Sequence, residues 1–322
     1  MRRGLMLFSL ILLILMVIFI LTETLNTGGT SKEAQLFALG YRVEDQILLK
    51  QRFSDDAIQQ IIKNHIHKDR LFPYLVHPYF NLHRLNQYEK ARETLQLSPF
   101  ASINYTHLPI ALHFTKEDDP SPLPAPFKQT PLVLVNKQFY LESDFEPTDL
   151  VYLKDINVVV PGLHERNQLK REAYIALKAL FQEAERQGLS LYVLSGYRSY
   201  HRQQVIYDQL IEANDDNRMI SAKPGHSEHQ TGLSVDITTP ATNYRLTPDF
   251  EKTPEGSFIL NYAHRFGFII RYPKDKECIT GYLYEPWHLR YVGKEIAQFI
   301  HDHRLTLEEY ILYYVPIPES GY

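Results

Sequence analysis

Apolar positions recur with different periods along this chain, and the changes of period mark its parts. Residues Leu5 to Leu21 form seventeen mostly apolar residues behind Arg2 and Arg3. As a helix rising ~1.5 Å per residue this run spans roughly 26 Å, just short of the ~30 Å hydrocarbon core of a bilayer. Residues 1–25 are therefore expected to anchor the chain in the cell membrane, single-pass, with the arginines cytoplasmic and everything after them extracellular. The alternative is secretion after signal cleavage. A signal peptide, however, has an apolar region of only ~7–15 residues and ends at a small-x-small site, which Thr22-Glu23-Thr24 does not supply.

Residues 26–115 read as a helical, membrane-proximal region. In FSDDAIQQIIKNHI (53–66) Ala57, Ile58, Ile61, Ile62 and Ile66 recur near helical spacing behind Ser54, a good N-cap. A second helix is expected through HRLNQYEKARETLQ (83–96), stopping before Pro99. KEDDPSPLPAPFKQT (116–130) carries Pro120, Pro122, Pro124 and Pro126, a spacing that enforces extended backbone and predicts a semi-rigid linker. A second domain, 131–322, opens on LVLVNKQFYL.

In that domain REAYIALKALFQEAERQG (171–188) is a helix with Ala173, Ala176, Leu177, Leu180, Phe181 and Ala184 in one stripe and Gly188 at its end. LSLYVLSGYRS (189–199) reads as a strand entering a turn, and YHRQQVIYDQLIEAN (200–214) as a helix. LSVDITT (233–239) and WHLRYVG (287–293) read as strands, LNYAHRFGFII (260–270) as a short helix ending near Gly267, and KEIAQFIHDH (294–303) as a helix. Helices and strands mix without a regular βαβ repeat, so the expected class is α+β with a small antiparallel sheet and flanking helices.

Composition narrows the partners. An apolar fraction of 44% over 322 residues supplies real cores, while a net charge of −4 with scattered Lys and Arg excludes the basic field of a nucleic-acid-binding protein. The single cysteine, Cys278, rules out an intrachain disulfide and any CxxC motif, and is expected as a small packing residue. His65, His67, His77 and His83 have no carboxylate nearby to complete a metal site and are expected to be solvated.

The chemistry concentrates in GHSEHQTGLSVDI (225–237). In a strand Leu233, Val235 and Ile237 share the core face, and Ser234 and Asp236 the other. His229 lies seven residues before Asp236, and Gly232 supplies a bend that can bring both to one site. The same letters fit a tight turn before a strand, and His226 competes with His229 as a ligand. Fifty residues on, LYEPWHLRYVG (283–293) adds Glu285 and His288, with Pro286 holding Glu285 extended. Two imidazoles and one carboxylate are the ligand set of a catalytic zinc, and Glu285 is then the spare acid that takes a proton from water. In SGYRSYHRQQ (195–204) a strand delivers Arg198 to a turn, where its planar fork suits a carboxylate or a developing oxyanion.

SGYRSYHRQ, PGHSEHQTGLSVDI and EPWHLRYVG, in that order, resemble the zinc D-alanyl-D-alanine carboxypeptidases of vancomycin resistance, whose relatives include L,D-carboxypeptidases of peptidoglycan and phage endopeptidases. The pattern S-x-H-x6-D followed by E-x-x-H is matched by Ser227, His229, Asp236, Glu285 and His288, over a likeness covering residues 131–303. The resemblance implies one Zn2+ held by His229, Asp236 and His288, Glu285 as catalytic base, and Arg198, Gln203 and Ser227 in contact with substrate. It implies hydrolysis of the terminal peptide bond of peptidoglycan stem peptides ending in D-alanine. The alternatives are L,D-carboxypeptidase action on tetrapeptide stems and a non-catalytic wall-binding protein on the same fold. One departure is Ser234, where alanine is common, and it is expected to be tolerated near the site.

Overall fold

The computed structural model describes residues 31–108, 110, 121–212 and 221–317. The anchor expected over residues 1–25 lies outside them. Among the described residues no helix is long and apolar enough to cross a membrane. Two compact units divide between His107 and Leu108.

The first unit is helical: α1 (Lys32–Ala38), α2 (Val43–Arg52), α3 (Asp55–Lys63), the single turn α4 (Lys68–Leu71), α5 (Leu85–Leu95) and α6 (Pro99–His107). Ser54 caps α3 by accepting the Ala57 N–H at 3.3 Å. The apolar face of α3 then buries Ile58, Ile61 and Ile62 beside Leu36, Tyr41, Leu49 and Tyr88. His65, His67 and His83 are exposed as expected, but His77 is fully buried. Its Nδ1 accepts the Tyr79 N–H at 3.1 Å, which leaves Nε2–H to donate to Asn104 Oδ1 at 2.8 Å. These two partners make burial of the imidazole tolerable, and spacing along the chain does not reveal the one 27 residues away.

The second unit begins before the boundary expected near residue 130. Within the proline-rich stretch β1 (Leu123–Pro124) lies parallel to β2 (Phe139–Tyr140). Leu123 and Ala125, which alternate with prolines, keep their N–H groups and donate them to Gln138 O and Tyr140 O at 2.8 and 2.7 Å. Among the described residues, the spacing of two thus turns Pro122, Pro124 and Pro126, which have no N–H, away from β2.

β3 (Leu150–Tyr152) pairs antiparallel with β4 (Gln168–Lys170), which runs straight into α7 (Arg171–Arg186). Ala173, Leu177, Leu180, Phe181 and Ala184 of α7 are buried, and left-handed Gly188 closes the helix while Leu189 N–H returns to Ala184 O at 2.9 Å. The main sheet is antiparallel throughout, in the order β5 (Tyr192–Ser195), β6 (Ser234–Thr238), β8 (His288–Tyr291), β7 (Phe268–Ile270). The remaining helices are α8 (Tyr200–Glu212), α9 (Pro254–Tyr262), the short α10 (Glu277–Thr280), α11 (Lys294–His303) and α12 (Leu307–Tyr314). Strands and helices therefore fall where the periodicity places them. Two details differ. Every residue of β6 is buried, so the face carrying Ser234 and Asp236 is a buried polar face rather than a solvent one. Cys278, on α10, is exposed instead of packed, because that single turn lies at the surface.

Candidate metal centre

The two central strands build the site by register. β6 and β8 pair with Asp236 directly opposite His288 and Ser234 opposite Arg290, so side chains 52 residues apart in sequence meet on one face. Asp236 Oδ1 lies 2.9 Å from His288 Nδ1, and its Oδ2 lies 3.1 Å from His229 Nε2. His229 arrives from a 3-10 turn, Glu228–Thr231, that ends at Gly232 with φ +67°. A side chain at Gly232 would be strained by that φ, and its Cβ would sit 2.9 Å from Leu150 Cδ2. The bend that the sequence requires is therefore left open to glycine alone.

His229 is aimed by Gly196. The Gly196 carbonyl takes the Nδ1–H of His229 at 2.6 Å, which turns the lone pair of Nε2 toward Asp236. A Cβ on Gly196 would approach Gln168 O to 2.4 Å, so the exit of β5 can lie against β4 only without a side chain. A backbone acceptor behind a ligating imidazole is the usual device for fixing its tautomer.

Potential ligand atoms of His229, Asp236 and His288 all lie within 4.8 Å of one another, and all three residues are buried. The protonation preferences suit a cation. Burial holds the His229 imidazole below its usual pKa and hence neutral, as a ligand must be. Burial alone would raise the Asp236 carboxyl, but His229 and His288 outweigh it and keep the group well below the ordinary carboxylate range. His288 runs the other way: burial opposes its charge, yet the hydrogen bond to Asp236 and the nearby Glu228 carboxylate push it up to about 9. Negative charge around His288 thus exceeds what one imidazole satisfies. The set of two imidazoles and one carboxylate fits zinc with a position left for water or substrate.

Glu285 is 8% exposed, with Oε2 3.9 Å from His288 Nδ1. Burial pushes its carboxyl up to about 8, with His288 and Arg198 opposing and Asp236 assisting. Arg198 donates to Gln203 Oε1 at 2.8 Å and to Ser195 Oγ at 3.3 Å, and its Nη2 stands 3.9 Å from Asp236 Oδ2. Ser227 lines the cavity above the cluster, a space of about 610 Å3, and its hydroxyl has no hydrogen-bond partner among the described residues. Gln203 is not on that surface. It is 1% exposed, with Oε1 spent on Arg198 and Nε2 donating to Ala222 O at 2.7 Å, so it reaches the site only through Arg198. His226 lies outside the cluster, with Nδ1 against Asn136 O at 2.8 Å.

Sequence reasoning passed over Glu228. This carboxylate is 1% exposed, and its Oε1 accepts from Arg271 Nε at 2.7 Å and from Arg290 Nη1 at 2.6 Å. Its Oε2 accepts the Ser234 hydroxyl at 3.0 Å, so the departure at Ser234 touches the support of the site. Arg271 also grips Glu308 through two bonds of 2.9 and 2.6 Å. Oε2 of Glu228 stands 3.6 Å from His288 Nε2, a buried nitrogen with no hydrogen-bond partner. His288 thus presents Nδ1 to the cluster and Nε2–H to Glu228. The strand alternation of His288 and Arg290 was the available signal, since it puts both on the polar face.

Comparison with known proteins agrees with this geometry. The family model described as D-alanyl-D-alanine carboxypeptidase, VanY, matches residues 166–294. YodJ of Bacillus subtilis strain 168 is 46% identical over 181 residues, covering 56% of this chain and 66% of YodJ, so the chain spans just under two thirds of that relative. VanXYC of Enterococcus gallinarum, named a bifunctional D-Ala-D-Ala dipeptidase and carboxypeptidase, is 31% identical over 185 residues, 56% of this chain and 92% of that one. A solved structure of the LdcB LD-carboxypeptidase superposes with a TM-score of 0.57 at 42% identity, covering 62% of this chain and 94% of that one. Register, ligand set and relatives converge: this chain belongs to the VanY family of D-alanyl-D-alanine carboxypeptidases.

Proposed function

We propose that the chain is a zinc D,D-carboxypeptidase that removes the terminal D-alanine from peptidoglycan stem peptides. The observation that carries this reading is the cross-strand pair of Asp236 and His288, completed by His229, with Glu285 unshared beside them. When bound there, zinc supplies Lewis acidity to a carbonyl and lowers the pKa of water. His229, Asp236 and His288 would hold it. Glu285, already favouring a shared proton through burial, takes a proton from water and returns it to the leaving amine of D-alanine. Arg198, oriented by Gln203 and Ser195, faces the negative charge that develops on the scissile carbonyl oxygen. The Ser227 hydroxyl is the free donor for the terminal carboxylate. Incubation of the zinc-loaded chain with a pentapeptide stem should release D-alanine, and failure to release it from any stem peptide would defeat the reading.

The likeness to LdcB favours a second reading, cleavage of the terminal D-alanine from a tetrapeptide stem. Pentapeptide and tetrapeptide stems assayed side by side decide between the two. We also propose that the catalytic unit lies outside the cell, tethered by residues 1–25, on the strength of the arginine-flanked apolar run. Protease added to intact cells should remove the second unit; full protection would overturn that placement.

A further inference from the structure

Arg198 does not close the metal cavity. A second cavity of about 470 Å3 opens beyond it, and Arg198, Asp236 and Leu246 line both, so the two are arms of one cleft meeting beside the cluster. Their walls differ. The first arm carries Tyr272, Tyr282 and Trp287 with the Ser227 hydroxyl, whereas the second carries Arg166 and Arg202 together with His164 and the acid Glu165.

Arg166 belongs to the 3-10 turn Glu165–Asn167, and its carbonyl accepts the Gly196 N–H at 2.6 Å, which ties the turn to the segment that aims His229. Arg202 stands in the first turn of α8, four residues after Arg198. Among the described residues neither guanidinium has a carboxylate partner or a hydrogen-bond acceptor. The nearby acid Glu165 receives the Ser199 N–H at 3.4 Å. Two guanidiniums without a bonded acceptor on a concave surface attract an anion, and the planar arginine fork matches a carboxylate.

The next step rests on the peptidase reading. A peptide whose scissile bond lies over the cluster must occupy both arms. Aromatic walls and the free Ser227 hydroxyl suit a small terminal residue with its carboxylate, which leaves the second arm for the residues before the scissile bond. We infer that Arg166 and Arg202 select peptides carrying a side-chain carboxylate on the amino-terminal side of the scissile bond, one or two residues before the residue that is cut.

The test uses the full zinc-loaded chain carrying Glu285→Gln, so that binding is read without turnover. Acetylated tripeptides ending in D-Ala-D-Ala, with a first residue bearing either a side-chain carboxylate or the matching carboxamide, are titrated by calorimetry. The acid should bind about tenfold or more tightly than the amide. Adding Arg166→Gln and Arg202→Gln together should bring that ratio near one while zinc stays bound. Equal affinity for the two peptides, or a preference that survives the double substitution, would overturn the inference. So would a double variant that instead loses discrimination against a terminal carboxamide, because the guanidiniums would then hold the terminal carboxylate. D-alanine release by the unsubstituted chain is scored separately. Absence of release with the acid preference intact would sink the hydrolytic reading and leave the carboxylate preference standing.

Discussion

Replacing Glu228 by glutamine tests whether the buried charges beneath the sheet hold the metal site in place. Glu228 and Glu308 face Arg271 and Arg290 with all four side chains essentially sealed from water, so the cluster is neutral as it stands. Burial alone would raise the Glu228 carboxyl, but Arg271 and Arg290 hold it far below the usual range, so it is ionised in the folded chain at neutral pH. Glutamine keeps the shape and an acceptor oxygen but leaves one buried positive charge uncompensated. Two short charge-assisted bonds, 2.7 and 2.6 Å, become neutral-acceptor bonds. Weakening both and stranding a charge should cost about 3 kcal/mol. His288 loses the anion facing its Nε2–H at 3.6 Å, which should lower zinc affinity by about 10–100-fold. The single tryptophan, Trp287, adjoins His288 in the cleft, so its fluorescence reports unfolding of the second unit in urea, and chelator competition reports zinc affinity. Ser234→Ala is the control, since it removes a 3.0 Å bond to the same carboxylate without touching the charge and should cost only about 1 kcal/mol. A Glu228→Gln chain within about 0.5 kcal/mol of its parent, with unchanged zinc affinity, would refute the reasoning.

Three further outcomes follow from the geometry. Alanine at His229, Asp236 or His288 should abolish stoichiometric zinc binding measured by elemental analysis, whereas His226→Ala should retain it, because His226 is spent on Asn136 O. Gln203→Ala should lower kcat about tenfold with zinc content unchanged, because Arg198 loses the 2.8 Å bond that orients it; equal kcat would show that Arg198 needs no such guide. In the first unit, burial of Asp45 is outweighed by hydrogen bonds from Lys68 Nζ at 2.7 Å and Arg42 N–H at 2.9 Å, so its folded pKa is lowered. That stabilisation is present above the unfolded pKa of about 3.9 and is lost as pH falls through the folded value. Asp45→Asn should therefore cost about 1–2 kcal/mol near neutrality and little in acid, and a pH-independent difference in circular-dichroism unfolding would contradict the assignment.

Much of this protein is determined locally. The apolar stripe of α7, the Ser54 cap, the turn at Gly232 and the strands bearing Asp236 and His288 follow from spacing and backbone freedom, which act over a few residues and so survive in a one-dimensional reading. The candidate ligands His229, Asp236 and His288 were legible because a zinc site needs particular donor types near particular bends. Tertiary structure decided what depends on partners distant in sequence. It put His77 in a core against Asn104, folded the proline stretch onto β2, withdrew Gln203 behind Arg198, and joined Glu228 to Arg271, Arg290 and Glu308. Whether an ionisable group is buried with a compensating charge depends on which strands lie side by side. Register between β6 and β8 is set by the whole buried sheet, and no local pattern encodes it.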